Sequence, residues 1–116
     1  MIVPGLKGKG LLGLHNKMSD IKEIIFQIVL EHFGISEESI LSKRRFRRIV
    51  YPRQVCMYLL YKNTNLTLVD IGTIFSSKDH TTVIHAKKTI SDQMQVDREV
   101  KDDIIILNNK ISKYVD

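Results

Sequence analysis

Residues 75–88 read FSSKDHTTVIHAKK, and the fold turns on how that stretch divides. From its second half onward, Val83, Ala86, Ile90 and Met94 recur at helical spacing and fall on one side of a wheel, which predicts a helix over about 80–95. Asp79 stands in front of it as an N-cap. The opposite side carries Thr81, His85 and Lys88, polar but nearly uncharged, where a merely solvated helix is usually filled with Glu and Lys. Short hydroxyls and an imidazole can approach base edges and thymine methyls in a DNA major groove. The free N–H groups of the first turn suit a phosphodiester backbone. Upstream, Thr67 and Asp70 form a T-x-x-D cap for a short helix that turns Leu68, Ile71, Ile74 and Phe75 inward and leaves Val69, Asp70 and Thr73 outward. Only Ser76–Asp79 separate the two helices, so the pair is expected to be a helix-turn-helix.

Working outward, residues 42–63 carry seven Lys and Arg and no acidic residue. SKRRFRRIVYPR gathers Lys43, Arg44, Arg45, Arg47, Arg48 and Arg53 around one aromatic, Phe46, a cluster that repels itself unless an anion lies against it. Pro52 predicts the first turn of a helix over 52–63, with Val55, Met57, Leu59 and Leu60 among its apolar residues. Ile21, Ile24, Ile25, Ile28 and Val29 define an earlier helix over 19–33, capped by Ser19 or Asp20 and ended by Gly34. His32 on its apolar side reads as a core or rim histidine. Ser36 caps a short helix ending near Leu41. Val100, Ile104, Leu107, Ile111 and Val115 stripe a last helix over 97–115, with acidic residues at its N-terminal end as the dipole prefers. Ile105 and Ile106 fall off that stripe and are expected to make a second buried contact, a partner surface being the alternative. Residues 1–18, with Pro4 and four glycines, read as a flexible arm ahead of one domain over 19–116.

Composition narrows the function. The chain has 116 residues, a formal charge of +5 and a pI near 9.4, one domain with a bias toward polyanions. A lone Cys56 among apolar neighbours forms no intrachain disulfide and reads as a small core residue in a reducing compartment. No stretch has the apolar length of a signal peptide or a membrane span, so a cytoplasmic location is expected, with no membrane partner. GLKGKG is followed by Leu11 where a phosphate-binding loop needs lysine. His80 and His85 lie about 140° apart on a helix and cannot share a metal. Ser76, Ser77, Asp79 and His80 are adjacent in sequence, which does not build a nucleophilic triad, and no carboxylate cluster suits a two-metal nuclease. The expectation is a protein without catalysis, cofactor, metal or small-molecule substrate.

The span LSKRRFRRIVYPRQVCMYLLYKNTNLTLVDIGTIFSSKDHTTVIHAKKTI closely resembles the C-terminal DNA-binding domain of the bacterial replication initiator DnaA. The family pattern runs SKRR, then PRQ, then L-x-x-I-G, then F-x-x-(R/K)-D-H-T-T-V-x-H-A. The resemblance covers about residues 20–115 and implies an all-α, Trp-repressor-like multi-helix domain with an embedded helix-turn-helix. It implies that Asp79, His80, Thr81 and Thr82 meet bases in the major groove and that Arg45 reaches into the neighbouring minor groove. Arg47, Arg53, Gln54, Leu68, Val69 and His85 match positions near the phosphate backbone; Lys43, Arg44, Arg48, Lys78 and Lys88 are assigned to the backbone as well. Ser76 and Ser77 stand where the family commonly has two glycines, and Lys78 where it commonly has arginine, which loses bidentate geometry. No Walker motif accompanies the domain. The expected function is therefore sequence-specific binding of double-stranded DNA, at a DnaA-box-like site, by a nucleoid-associated regulator of replication or transcription without ATPase activity. The alternative is a phage or mobile-element interaction module that binds a protein of the host replication or transcription machinery.

Overall fold

A computed structural model describes residues 18–75 and 79–114, with side chains from residue 21 onward. Among them are six helices and no strand: α1 (Met18–Phe33), α2 (Glu37–Leu41), α3 (Arg47–Asn63), α4 (Leu68–Ile74), α5 (His80–Val96) and α6 (Arg98–Ser112). The all-α expectation holds. The arm read over residues 1–18 lies, apart from Met18, outside the described residues, as do Ser76, Ser77, Lys78 and Val115.

Each helix boundary has a local cause. Gly34 has φ 65°, a left-handed conformation that costs glycine little, and Ile35 N–H donates to the Leu30 carbonyl at 3.2 Å, closing a Schellman motif behind α1. Ser36 Oγ accepts from Ser39 N–H at 3.1 Å in front of α2. At α4 the capping box is complete: Thr67 Oγ1 accepts from Asp70 N–H and Asp70 Oδ2 accepts from Thr67 N–H, both at 3.0 Å. Those bonds hold the exposed Asp70 carboxyl below its ordinary range. Asp79 and Asp97 cap α5 and α6, accepting from Thr82 N–H and Glu99 N–H respectively.

Two boundaries differ from expectation. Ser19 and Asp20 lie inside α1 rather than at its cap. Helix α3 begins at Arg47, so Pro52 sits inside it instead of in its first turn. The reason is Ile49, which is buried and draws residues 47–51 into helical register. Pro52 removes one hydrogen bond, to the carbonyl of Arg48, and Arg48 is exposed, within reach of water.

The core is built around α3, which packs against α1, α2, α4 and α5, while α6 closes the far side against α1 and α5. Val55, Cys56, Met57, Leu59 and Leu60 of α3 are buried with Ile25 and Val29 of α1, Ile71 and Phe75, Val83, Ala86 and Ile90 of α5, and Ile104 and Leu107 of α6. Burying each large aliphatic side chain contributes about 1.5–3 kcal/mol. Phe26 and Phe75 stack at 5.6 Å between ring centroids, tying α1 to the exit of α4. Burial pushes the Cys56 thiol well above its ordinary value, so it is an inert core residue. Ile105 and Ile106 correct the expectation of a second buried contact: they are 46% and 43% exposed, because α6 presents one stripe to α1 and α5 and turns its other side outward. No helix of the described residues is long and apolar enough to cross a membrane.

Candidate nucleic-acid interface

Val83, Ala86 and Ile90 anchor α5 in the core, and this fixes which side chains the helix shows outside. Asp79, His80, Thr81, Thr82 and His85 are all exposed. Asp79 Oδ1 accepts from Thr82 N–H at 3.2 Å, so one carboxylate oxygen caps the helix, and among the described residues the other has no hydrogen-bond partner. Two turns on, Lys88 Nζ pairs with Asp92 Oδ2 at 3.0 Å and Lys87 Nζ stands 3.7 Å from the Tyr61 ring centroid. Among the described residues, the first turns of α5 carry no ion pair or ring contact of the kind the later turns make. On α4, Val69 is exposed and Leu68 half-buried.

Facing α5 across a cleft is the extended segment between α2 and α3. Lys43, Arg45, Arg53 and Gln54 line one wall and Thr82 and His85 the other, over a floor that includes Val50 and Met57. The wall is held in place by Arg53. The residue is 6% exposed; its Nε donates to the Ile40 carbonyl and its Nη2 to the Ser42 carbonyl, each at 2.8 Å. Matched by the resemblance to a position near the phosphate backbone, Arg53 lines the cleft and is also a nearly buried strut that pins the end of α2 to the body of α3. Burial lowers its pKa, and the charge of Arg45 lowers it further. Two guanidinium groups are therefore crowded along one wall, an arrangement that an anion in the cleft relieves.

The remaining cations are distributed differently. Lys43, Arg44, Arg45, Arg47 and Arg48 are exposed, but Arg47 and Arg48 line a second cleft with Tyr51, Asp97, Glu99 and Asp103 rather than the one beside α5. The Arg47 guanidinium lies 5.3 Å from the Tyr51 ring centroid. There Asp103 accepts from the Tyr51 hydroxyl at 2.7 Å and from His32 Nε2 at 2.9 Å, joining α1, α3 and α6. His32 is a rim histidine with a structural partner. The structure therefore brings Lys43, Arg45, Arg53, Gln54, Thr82 and His85 together and leaves Arg47 and Arg48 on a neighbouring surface; Lys78 lies outside the described residues. Val50 and Met57 were not anticipated. Their signal was the helical spacing of Val50, Gln54 and Met57, legible only once α3 is started at Arg47.

Comparison with known proteins gives one consistent result. A family model described as the bacterial DnaA protein helix-turn-helix matches residues 22–90. The chromosomal replication initiator protein DnaA of Chloroflexus aggregans is 38% identical over 101 residues, covering 87% of this chain and 21% of that protein. DnaA of Limosilactobacillus reuteri is 38% identical over 112 residues, covering 95% of this chain and 26% of its own length. A solved structure of a DNA replication initiation factor superposes with a TM-score of 0.73 and 30% identity over 84% of this chain and 30% of that one. The chain thus spans about a fifth to a quarter of the length of these curated relatives.

Proposed function

This chain belongs to the bacterial DnaA helix-turn-helix family, and from that premise we propose that it binds double-stranded DNA sequence-specifically, at a DnaA-box-like site, as a cytoplasmic, nucleoid-associated regulator of replication or transcription whose own residues hydrolyse no ATP. The observation that carries the reading is the single cleft shared by the basic segment and the outer face of α5. A phosphodiester strand laid in that cleft has the major groove on one side and the minor groove on the other. With α5 in the major groove, Asp79, His80, Thr81 and Thr82 meet base edges, while His85, Gln54 and Lys43 flank the strand. Arg45, beyond the strand, then enters the minor groove, where a narrow A·T-rich stretch attracts arginine. Val69 and Leu68 close on the backbone from α4. If six to eight phosphates are neutralised, log K falls with log salt at a slope of about −5 to −7.

Selecting bound sequences from a random duplex pool, then comparing variants on the winner, tests this. Thr82→Ala should lose roughly 1–3 kcal/mol of discrimination at one base pair. Lys43→Ala should weaken all sequences alike and reduce the salt slope by about one. Equal losses on every sequence from both variants would refute the assigned roles. A second reading rests on Ile105 and Ile106, whose exposure on α6 supports a protein partner docking away from the cleft. A pool that enriches no sequence favours that reading.

A further inference from the structure

Phe46 breaks two ordinary rules at one position. It is the N-cap of α3, where Ser, Thr, Asp or Asn is favoured because a side-chain oxygen takes up free N–H groups; a phenyl ring cannot, and no side-chain cap bond is present. Its ring is also 65% exposed. Among the described residues no ring or cation stacks on it, and its neighbour Arg47 stands over Tyr51 instead. The backbone beneath it is firm: the Phe46 carbonyl accepts from Ile49 N–H and Val50 N–H, both at 2.8 Å. A fixed main chain therefore holds an unpartnered phenyl in water, next to Arg45. Folding gains little from a ring so exposed, and local rules broken without an evident folding gain concentrate at functional positions.

We infer that Phe46 is an apolar wedge that enters the minor groove beside Arg45 and presses between adjacent base pairs, partly unstacking one step. The inference rests on the DNA-binding reading above, which puts the 43–46 segment on the minor-groove side of the strand in the cleft. Phenylalanine is one of the side chains that minor-groove proteins insert in this way, with the unstacking offset by the closer fit of the bent duplex. Arg44 and Arg45, both exposed and two residues and one residue before the ring, suit the same place, since their charge favours the groove and the phosphates that border it. The contact is apolar, so it adds affinity without releasing counterions, and it favours a flexible pyrimidine–purine step at the point of entry.

The full 116-residue chain and its Phe46→Ala, Phe46→Leu and Thr82→Ala variants are titrated into the duplex selected by the unaltered protein. The duplex carries 2-aminopurine at successive positions flanking the α5 footprint. The inference expects 2-aminopurine to brighten at one step with the unaltered protein and Phe46→Leu but not with Phe46→Ala. It also expects Phe46→Ala to bind about tenfold more weakly with an unchanged salt slope, and to melt at the same temperature because the ring is exposed. It is overturned if no position brightens, if Phe46→Ala binds as tightly as the unaltered protein, or if the slope falls as it does for a lost phosphate contact. Thr82→Ala separates the two failures: retained loss of discrimination there leaves the DNA-binding reading intact, whereas a chain that binds no duplex overturns both.

Discussion

Replacing Arg53 with alanine probes the joint on which the interface is hung. The side chain makes two charge-assisted hydrogen bonds to carbonyls, Ile40 and Ser42, each 2.8 Å long, from a 6% exposed position. Hydrogen bonds to charged groups contribute about 1.5–3 kcal/mol each. The Ser42 bond is only partly buried and water can replace part of it, so the pair should cost about 2–4 kcal/mol when lost, an appreciable share of the roughly 5–15 kcal/mol typical of a domain. With a urea dependence of about 1–3 kcal/mol/M, the unfolding midpoint of Arg53→Ala should fall by roughly 0.7–4 M, read by circular dichroism at 222 nm, the standard helical band. Arg53→Lys should recover less than half, because an ammonium cannot span two carbonyls in the planar fork of a guanidinium. Lys43→Ala, fully outside this joint, should unfold with the unaltered chain. An Arg53→Ala midpoint unchanged within the error of the extrapolation would refute the strut.

Phe75→Ala should destabilise by about 3–5 kcal/mol, since the ring is fully buried and stacked on Phe26 where α4 leads toward α5; a loss under about 1 kcal/mol in urea would contradict that packing. Tyr51 supplies a pH dependence. Burial, then the hydrogen bond to Asp103, then the charges of Asp103, Glu99 and Asp97 raise its pKa above the ordinary 10.0. Its folded value is the higher one, so its contribution is fully present below pH 10 and is lost as pH rises beyond it. The stability advantage of the unaltered chain over Tyr51→Phe should therefore be about 1 kcal/mol near pH 8 and shrink toward about pH 11, and an advantage that holds or grows would count against the linkage.

Much of this fold is legible because its determinants are local. The spacing of Val83, Ala86, Ile90 and Met94 fixes α5 and its outer face, Thr67 and Asp70 announce the start of α4, and Gly34 marks the end of α1. What escaped is non-local or conditional. Proline at a first turn is a strong local cue, yet the burial of Ile49 starts α3 five residues earlier. That shift places Ile49, Arg53, Cys56 and Leu60 on one face, which is why one arginine of a basic run turns inward while the rest stay in water. Nothing in composition distinguishes Arg53 from its neighbours until the helix start is known. The bonds from His32 and Tyr51 to Asp103 span 71 and 52 residues, beyond any local pattern. Ile105 and Ile106 looked like core by residue type, but a helix that covers one side of a small bundle has only one side to bury.

Amide chemical shifts followed while unlabelled duplex is added to the isotope-labelled chain test the central claim most directly. The account predicts that residues 43–48 and 79–85 shift together and saturate at one stoichiometry, with Ile105 and Ile106 unmoved. Shifts confined to α6, or to the basic segment without Thr81, Thr82 and His85, would contradict it.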